Sequence, residues 1–206
     1  MTENTQEQND IYGYTIRNSR YLNVTNRCSL RCRFCPKFNR QWTVEDHNMR
    51  LKTEPGASEL VTAAGNPEDF EEIVFCGMGE PTMRLDILLE AAKELRKKGA
   101  RLRLNTSGVG NIVHGRDIAP ELAQDIQSIS VSLNAQNEEV YNEHCRPPLA
   151  GTYPSVIEFI RSAKAAGAQV TVTAVDGLEG VDIAACETIA KELGVAFRRR
   201  VLDELV

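Results

Sequence analysis

The sequence predicts an α/β protein in which parallel strands form a partial, open β/α barrel of about six strands. Short β-prone runs alternate along the chain with amphipathic helical segments. This alternation favours parallel pairing with right-handed crossovers. The candidate strands mostly start about 27 to 40 residues apart, near the average of about 31 residues per unit in an eight-fold barrel. They are residues 21–25, 73–75, 102–105, 129–133, 169–174 and 196–199.

The segments between the later strands carry apolar stripes with helical spacing, and each stripe ends at a glycine, as expected for a helix C-terminus. The stripes are Leu85, Leu88, Leu89, Ala92 and Leu95 before Gly99; Val156, Phe159, Ile160 and Ala163 before Gly167; and Ile183, Cys186, Ile189 and Leu193 before Gly194. Only residues 201–206 follow the sixth strand, too few for a closing helix, so we expect an open barrel. Ligands of such sheets bind at the carboxyl ends of the strands.

The composition is typical of one globular domain. The chain has 206 residues, of which 42% are apolar and 26% charged, enough to bury a sizeable core. We expect residues 1–12 to be disordered and residues 13–206 to form the domain. No apolar run approaches the length of a membrane span and nothing resembles a signal peptide, so we expect a cytoplasmic protein without membrane contact. The net charge of −5 argues against a general nucleic-acid binder and leaves a specific nucleic-acid partner open.

Three of the six cysteines form a compact motif, TNRCSLRCRFCPKF, in which Cys28, Cys32 and Cys35 follow the first candidate strand. In a cytosolic chain, cysteines are expected to be reduced, metal-bound or buried rather than disulfide-bonded. The spacing also fits a buried helical stripe, but Pro36 and the neighbouring arginines speak against a helix. A structural zinc site needs a fourth ligand, from His47 or a remote cysteine. Three thiolates can instead hold a 4Fe-4S cluster and leave one iron open.

The segment around this motif is strongly basic. Between residues 11 and 44 there is no acid, and there are seven basic residues: Arg17, Arg20, Arg27, Arg31, Arg33, Lys37 and Arg40. They form either a solvated basic face or the surroundings of an anionic group, such as a thiolate-bound cluster, a carboxylate or a phosphate.

The CxxxCxxC motif, with an aromatic residue before its last cysteine, resembles the signature of the radical S-adenosylmethionine (SAM) enzymes. The resemblance implies a 4Fe-4S cluster held by Cys28, Cys32 and Cys35, whose open iron chelates the amino and carboxylate groups of SAM. In that family, electron transfer to the sulfonium releases methionine and a 5′-deoxyadenosyl radical. The resemblance also implies a reductant such as flavodoxin or ferredoxin as a partner. Phe34 falls where the family places a residue close to the adenine.

The stretch CGMGEP after the second candidate strand supports the resemblance. Two glycines and a proline after a strand are often no more than a turn. At this position, however, the stretch matches a Gly-Gly-Glu-Pro-like motif of the family through Gly77, Gly79, Glu80 and Pro81. The resemblance implies that this motif contacts the SAM amino group. A carboxylate and exposed backbone carbonyls suit an ammonium group, and glycine lets the backbone come close.

Polar residues also end the third and fourth candidate strands. NTSG, which begins at Asn105, resembles a Thr-Asn-Gly stretch of the family and implies a SAM contact there. In SVSLNA, Ser132 and Asn134 lie two residues apart and can face the same side of the strand. The resemblance implies that both contact the ribose hydroxyls or the SAM carboxylate, although Asn134 equally fits a helix N-cap. Arg146 is either a partner of the SAM carboxylate or a surface arginine. The fifth candidate strand lacks a clear adenine-contacting pattern.

The remaining cysteines are more scattered. Cys76 ends a strand and Cys186 lies on a helical stripe, so we expect both in the core, whereas the role of Cys145 stays open. Trp42, His47 and Arg50 follow the cysteine loop in a segment expected to cover the barrel mouth; they are candidates for substrate or partner contact, or ordinary surface residues.

The leading functional hypothesis is an enzyme that cleaves SAM reductively and abstracts hydrogen from an unidentified substrate. A protein activator that installs a glycyl radical and a 7-deazaguanine-forming enzyme of the queuosine pathway are alternatives within that class. From another class, the chain could be a non-catalytic iron-sulfur or zinc module that supports a nuclease. More narrowly, the run CPKFNRQWTVEDHNMRL, the end at FRRR and the short length resemble the radical SAM proteins associated with TatD-type nucleases, which implies such a nuclease as a partner.

Overall fold

The structure, a computed structural model, describes residues 10–39, 41–44 and 47–202. Its strands are β1 (Gly13–Ile16), β2 (Ser19–Asn23), β3 (Thr43–Val44), β4 (His47–Asn48), β5 (Glu72–Cys76), β6 (Leu102–Thr106), β7 (Ser128–Ser132), β8 (Gln169–Asp176) and β9 (Ala196–Val201). Over these residues, seven strands form one sheet in the order β1-β2-β5-β6-β7-β8-β9. β2 and β5 to β9 run parallel to one another. The predicted α/β fold with an open barrel of parallel strands is therefore confirmed.

The helices connect these strands and cover one face of the sheet. They are α1 (Ala57–Ala64), α2 (Leu85–Lys97), α3 (Gly110–His114), α4 (Ala119–Asp125), α5 (Glu138–Cys145), α6 (Thr152–Ala165) and α7 (Ile183–Leu193). Every second strand residue, such as Phe75, Leu104 and Val131, packs with the apolar helix stripes in a single core. Because right-handed crossovers place all connections on the same side, the sheet curls with its helices outside.

Two strand pairings were absent from the sequence-based prediction. β1 pairs antiparallel with β2 through a two-residue turn, Arg17–Asn18. That turn lacks the glycine that usually marks a tight hairpin, so the sequence gives little sign of it. β3 and β4 form a separate two-stranded antiparallel sheet in the segment that follows the cysteine loop.

Part of the N-terminal segment is held against the sheet. Residues 1–9, which the sequence analysis expects to be disordered, lie outside the described residues. The Asp10 carboxylate accepts hydrogen bonds from the backbone N–H groups of Lys52 and Thr53, at 2.7 and 2.8 Å. The Tyr12 carbonyl accepts one from the N–H of Asn23, at 2.9 Å. The chain is therefore tied down from Asp10 onward.

Candidate active site

A cavity of about 290 Å³ lies at the carboxyl ends of the parallel strands. It is where the sequence-predicted site residues meet. From the cysteine loop and the glycine stretch it is lined by Cys28, Phe34, Cys32, Cys35, Gly77, Gly79 and Glu80, and from the strand ends by Asn105, Ser132 and Asn134. Leu30, Pro36, Cys76, Met78, Thr106, Ser107 and Arg200 complete the lining.

The cysteine loop is fastened at both of its ends. At its start, the Glu54 carboxylate accepts hydrogen bonds from the Thr25 hydroxyl, the Asn26 N–H at 3.1 Å and the Arg27 Nε at 2.8 Å. Further along, the N–H groups of Arg31 and Arg33 donate to carbonyls at the C-terminal end of α5, at 3.1 and 2.8 Å. The loop therefore has a defined path although it contains no regular secondary structure between residues 24 and 39.

Gly77 and Gly79 bring the glycine stretch directly against this loop. A Cβ atom on Gly79 would lie 2.2 Å from the Arg27 carbonyl oxygen, and one on Gly77 would lie 2.8 Å from the Thr25 carbonyl oxygen. The Gly79 N–H donates to Thr25 at 2.9 Å and the Glu80 N–H donates to Arg27 at 2.7 Å. Only glycine permits this close approach. The two glycines therefore fix the position of the cysteine loop relative to β5.

Glu80 ties the end of β5 to the end of β6. It is 2% exposed. One carboxylate oxygen accepts from the hydroxyls of Thr82 and Thr106, both at 2.7 Å, and from the Thr82 N–H at 3.1 Å. The other accepts from the N–H and hydroxyl of Ser107, both at 2.6 Å. Five donors occupy the carboxylate, so Glu80 holds neighbouring loops in place. Pro81, the next residue, is buried in the 3₁₀ turn 81–84 and does not line the cavity.

Hydrogen bonds within the protein already occupy the Glu80 carboxylate, so the remaining acceptors of the glycine stretch are its backbone carbonyl groups. Within the described residues, the carbonyl groups of Gly77 and Met78 accept no hydrogen bond, and both residues line the cavity. Backbone carbonyls are strong acceptors that need a partner in a folded protein. A ligand with an ammonium group would satisfy them.

The three cysteine thiols are half-buried around the cavity. Burial raises the pKa of Cys28 to about 12 and also raises the pKa of Cys35. The Cys145 thiol, followed by burial, raises the pKa of Cys32 well above its usual range. These thiols are therefore protonated unless a cation balances them, as bound iron does when it displaces the thiol protons.

The arrangement of donors fits a multi-iron cluster. Within the part of the chain that the structure describes, no three His, Cys, Asp or Glu side chains converge on a point where a single metal ion could bind. Cys28, Cys32 and Cys35 all line the same cavity, and a cluster in which each thiolate binds a different iron needs its thiolates around one shared space.

Tyr141 supplies an independent observation for this fit. It is fully buried on α5, and its hydroxyl has no hydrogen-bond partner among the described residues. Burial raises the pKa of Tyr141 above its usual range, and the thiols of Cys145, Cys32 and Cys28 add to the rise. Tyr141 itself does not line the cavity. Buried hydroxyls are rarely left without a partner. Sulfur atoms of a cluster would provide the missing acceptor.

Asn134 and Arg200 form the polar wall opposite the glycine stretch. Asn134 is 3% exposed, and its backbone has a positive φ of 63°, which asparagine tolerates better than most residues. Its side chain accepts from an Arg200 amino group at 3.1 Å and donates to the Cys145 sulfur at 3.5 Å. The N-cap of α5 is Asn137, whose side chain accepts from the Val140 N–H at 2.9 Å. Asn134 is therefore a cavity residue and not a helix cap.

Sequence reasoning did not single out Arg200, which lines the cavity. It considered Arg146 as a partner of the SAM carboxylate, and Arg146 does not line the cavity. Arg146 lies exposed at the C-terminal end of α5 and outside the cavity, so the surface alternative describes it. Arg200 projects from β9, its Nε atom is buried without a partner among the described residues, and burial lowers its pKa to about 10. The alternation in FRRR could have placed Arg198 and Arg200 on one face of a strand.

The basic residues near the cysteines do not surround this cavity. None of those described lines it. Arg27 and Arg33 form ion pairs with Glu54 and Glu143, and the Lys37 ammonium donates to the Asn26 carbonyl at 2.9 Å. Arg40 lies outside the described residues. Within the described part of the segment, these charges hold the loop in place and face solvent.

The other residues noted in the sequence lie where packing explains them or away from the cavity. Cys76 lines the cavity floor but is buried, and Cys186 is fully buried on α7. The Arg50 guanidinium lies 5.6 Å from the centre of the Trp42 ring, and the His47 ring lies 5.6 Å from that of Tyr14. Trp42, His47 and Arg50 do not line the cavity.

A curled sheet of parallel strands, with three cysteines and a glycine-rich turn around one cavity at its carboxyl edge, defines a cluster-binding β/α enzyme. The family model for the radical SAM superfamily matches residues 22–193. The chain therefore belongs to the radical SAM superfamily, whose members are enzymes that bind a 4Fe-4S cluster and SAM. This match shows the superfamily and does not show the narrower TatD-associated group.

Curated relatives share part of the chain. A GTP 3′,8-cyclase of Rhodococcus opacus is 30% identical over 160 residues, which are 77% of this chain and 42% of the relative. A dual-specificity RNA methyltransferase, RlmN, of Buchnera aphidicola is 30% identical over 129 residues, or 56% of this chain and 32% of the relative. The chain thus spans less than half the length of these relatives.

Solved structures share the fold. SuiB of Streptococcus suis bound to S-adenosylmethionine superposes with a TM-score of 0.65 at 16% identity, covering 90% of this chain and 38% of SuiB. The methyltransferase TsrM of Kitasatospora setae, solved with cobalamin and a [4Fe-4S] cluster, gives 0.59 at 15% identity, covering 88% and 36%. Within the described residues, no helix is long and apolar enough to cross a membrane.

Proposed function

We propose that the protein cleaves SAM reductively and uses the resulting 5′-deoxyadenosyl radical to abstract hydrogen from a substrate. The observation that carries this proposal is that Cys28, Cys32 and Cys35 line one cavity together with the glycine stretch, whose Gly77 and Met78 carbonyls accept no hydrogen bond within the described residues. When bound, the cluster supplies the electron and the open iron to which an α-amino acid group can bind. The chain's own residues hold and orient the ligands.

Each wall of the cavity has a separate task in this proposal. Cys28, Cys32 and Cys35 hold the cluster. The carbonyls of Gly77 and Met78 accept the ammonium of SAM, while Glu80 keeps the motif in position through Thr106 and Ser107. This assignment revises the direct ammonium contact expected for the Glu80 side chain. Ser132 and Asn134 offer polar groups to the ribose or the carboxylate, and Arg200 supplies the cation once expected from Arg146.

The partners belong to the proposal as well. A low-potential reductant such as flavodoxin or ferredoxin would deliver the electron. Association with a TatD-type nuclease is supported only by the resemblance of the run after Cys35 and the FRRR stretch to that group. A cytoplasmic location is in keeping with oxygen-sensitive cluster chemistry and with reduced cysteines.

The experiment is anaerobic reconstitution followed by reduction and incubation with SAM. We expect 5′-deoxyadenosine and methionine to appear slowly without the true substrate, and SAM to change the electron paramagnetic resonance (EPR) spectrum of the reduced cluster. An unchanged spectrum together with no 5′-deoxyadenosine would contradict the proposal and favour a non-catalytic iron-sulfur module.

A matched pair of variants tests the cavity wall. Asn134→Gly removes a cavity side chain at a positive-φ position where glycine is unstrained, so the fold and the iron content should persist. We expect SAM affinity to fall about tenfold, since a hydrogen bond to a charged group contributes about 1.5 kcal/mol. Asn137→Gly is the control, because Asn137 lies outside the cavity and glycine is a tolerated N-cap. Equal SAM affinity in the two variants would remove Asn134 from the site.

A further inference from the structure

A second cavity of about 660 Å³ adjoins the first one on the inner face of the open barrel. Arg200 lines both cavities. The rest of the second cavity comes from the end of β1, the β1–β2 turn, β2 and the start of β5 on one side, and from β9 on the other. These residues are Ile16, Arg17, Asn18, Ser19, Tyr21, Glu71, Glu72, Arg198, Arg199 and Val201. This connection between the two cavities matters because the substrate of the proposed reaction must lie next to the first cavity.

The acids of the second cavity are already engaged by groups of the protein. The Glu72 carboxylate pairs with the Arg103 guanidinium through contacts of 2.8 to 3.1 Å. The Glu71 carboxylate accepts a hydrogen bond from the Asn18 side chain at 3.0 Å. The charge of Glu72 is therefore balanced by Arg103, whereas the Asn18 amide is neutral and leaves Glu71 with its negative charge.

The arginines of the second cavity are mostly unpaired. Arg199 forms an ion pair with Asp176. Arg17, Arg198 and Arg200 have no carboxylate partner within ion-pairing distance among residues 10–39, 41–44 and 47–202. Arg198 and Arg200 lie two apart on β9 and therefore share the inner face. Three guanidinium groups without a carboxylate partner therefore line a space in which Glu71 is the one lining carboxylate without a cationic partner among the described residues, so positive charge exceeds negative charge there.

Arg17 stands at a position where arginine is unfavourable for the backbone. Its φ is +53°, in the left-handed region, and it is the first residue of the two-residue turn between β1 and β2. Hairpin turns with positive φ at this position favour glycine or asparagine. Local stability does not account for an arginine here, whereas a guanidinium needed at the cavity does.

We propose that the second cavity binds an anionic group of the substrate, a phosphate or a carboxylate, through Arg17, Arg198 and Arg200. This inference rests on the proposed function, since it places the reacting part of the substrate in the first cavity and its anionic part in the second. Guanidinium groups bind phosphate and carboxylate oxygens through paired N–H donors. Arg200 is half-buried, whereas Arg17 and Arg198 are exposed and supply donors from the cavity rim.

The test is calorimetric titration of the cluster-loaded protein, with and without SAM, using inorganic pyrophosphate and citrate as probes at low ionic strength. We expect one or both probes to bind; preference for pyrophosphate indicates a phosphate-bearing substrate, and preference for citrate a carboxylate-bearing one. Arg198→Gln should weaken binding about tenfold, as expected for losing one charge-assisted contact. Arg146→Gln, which removes the same charge from an exposed residue outside both cavities, is the control and should change binding less than about twofold.

Arg17→Gly separates binding from folding. Glycine relieves the backbone strain, so the melting temperature should rise while probe affinity falls about tenfold. Absence of binding to both probes, equal losses in Arg198→Gln and Arg146→Gln, or unchanged affinity in Arg17→Gly would each overturn the proposal.

Different measurements test the proposed SAM cleavage and the proposed anion site. Probe binding that depends on Arg198, together with no SAM cleavage, would contradict the proposed function and leave the anion site standing. SAM cleavage without probe binding would contradict only the anion site.

Discussion

The two faces of the sheet differ sharply in composition. The helix-covered face carries apolar side chains such as Leu104 and Val131, which are fully buried in one continuous core. The inner face carries Arg103, Ser130 and Arg200 from strands of the same sheet. Fully covered parallel strands usually read as continuous apolar runs. The alternation seen here therefore identifies the inner face as a surface for polar ligands.

The comparison teaches that burial alone does not reveal what a residue does in this fold. Glu80, Asn134 and Leu104 are all almost completely buried. Leu104 contributes by removing apolar surface from water, whereas the two polar residues contribute through specific hydrogen bonds around the cavity. Substitutions on the helix-covered face should therefore lower the stability of the fold, whereas substitutions around the cavity should change cluster or ligand binding.

The largest difference is expected between two cysteines. Cys32→Ala removes a ligand from the cavity, so iron and sulfide should be lost from the reconstituted protein. Cys186 lies on α7 in the core between the helices and the sheet. The Cys186→Ala protein should therefore keep its full iron content and lose some thermal stability. Iron and sulfide analysis of both variants checks this. Equal iron loss in the two would refute the assignment of ligands.

A smaller difference is expected between neighbouring strands of the sheet. Leu104→Ala creates a cavity in the core and should lower the free energy of unfolding by about 3 kcal/mol. Ser130 is 8% exposed on the inner face, and Ser130→Ala should change the free energy of unfolding by less than about 1 kcal/mol. Urea unfolding monitored by circular dichroism measures both. A loss in Ser130→Ala as large as in Leu104→Ala would mean that the two faces contribute alike.

The smallest effect concerns pH and the Glu54 network at the start of the cysteine loop. Burial raises the pKa of Glu54, but hydrogen bonds from Arg27, Thr25 and the Asn26 N–H outweigh it, and the net pKa is lowered. A lowered native pKa stabilises the fold above the ordinary glutamate value of 4.5, and this contribution is lost as the pH falls through the native pKa.

Glu54→Gln should accordingly destabilise the protein at pH 7 by about 1 kcal/mol. The difference from wild type should shrink at pH 3 to 4, because the wild-type carboxylate is then increasingly protonated. Chemical unfolding across this pH range provides the measurement. Glu94→Gln, which removes an exposed pair with Lys97, is the control and should show little change at any pH. A pH-independent loss in Glu54→Gln would contradict the role of its charge.

Most of the parallel fold could be predicted because each strand and helix carries a local signal. The strand at residues 129–133 was expected within one residue of β7, and the glycine after α7 marked its end correctly. β1 was missed because its pairing depends on a turn formed by Arg17 and Asn18, which has no glycine. Local patterns carry no information about a strained turn that tertiary contacts maintain.

The candidate site, like the fold, could be predicted only in part. Cys28, Cys32 and Cys35 could be assigned to one place because their spacing keeps them together. The contribution of Arg200 could not be assigned from spacing, since it comes from β9, more than 160 residues after the cysteine loop. Arg146 was considered as either a partner of the SAM carboxylate or a surface arginine, whereas the structure brings Arg200, from a distant strand, to the Asn134 side chain.

The edge position of β9 has a consequence for association between chains. Within the described residues β9 pairs only with β8, so its other edge presents backbone donors and acceptors that a strand of another molecule could use. Three consecutive arginines, Arg198, Arg199 and Arg200, occupy the middle of this strand. Like charges on an edge strand repel a second copy of the same strand and oppose edge-to-edge aggregation. The open barrel can thus leave its inner face accessible without inviting the sheet to grow.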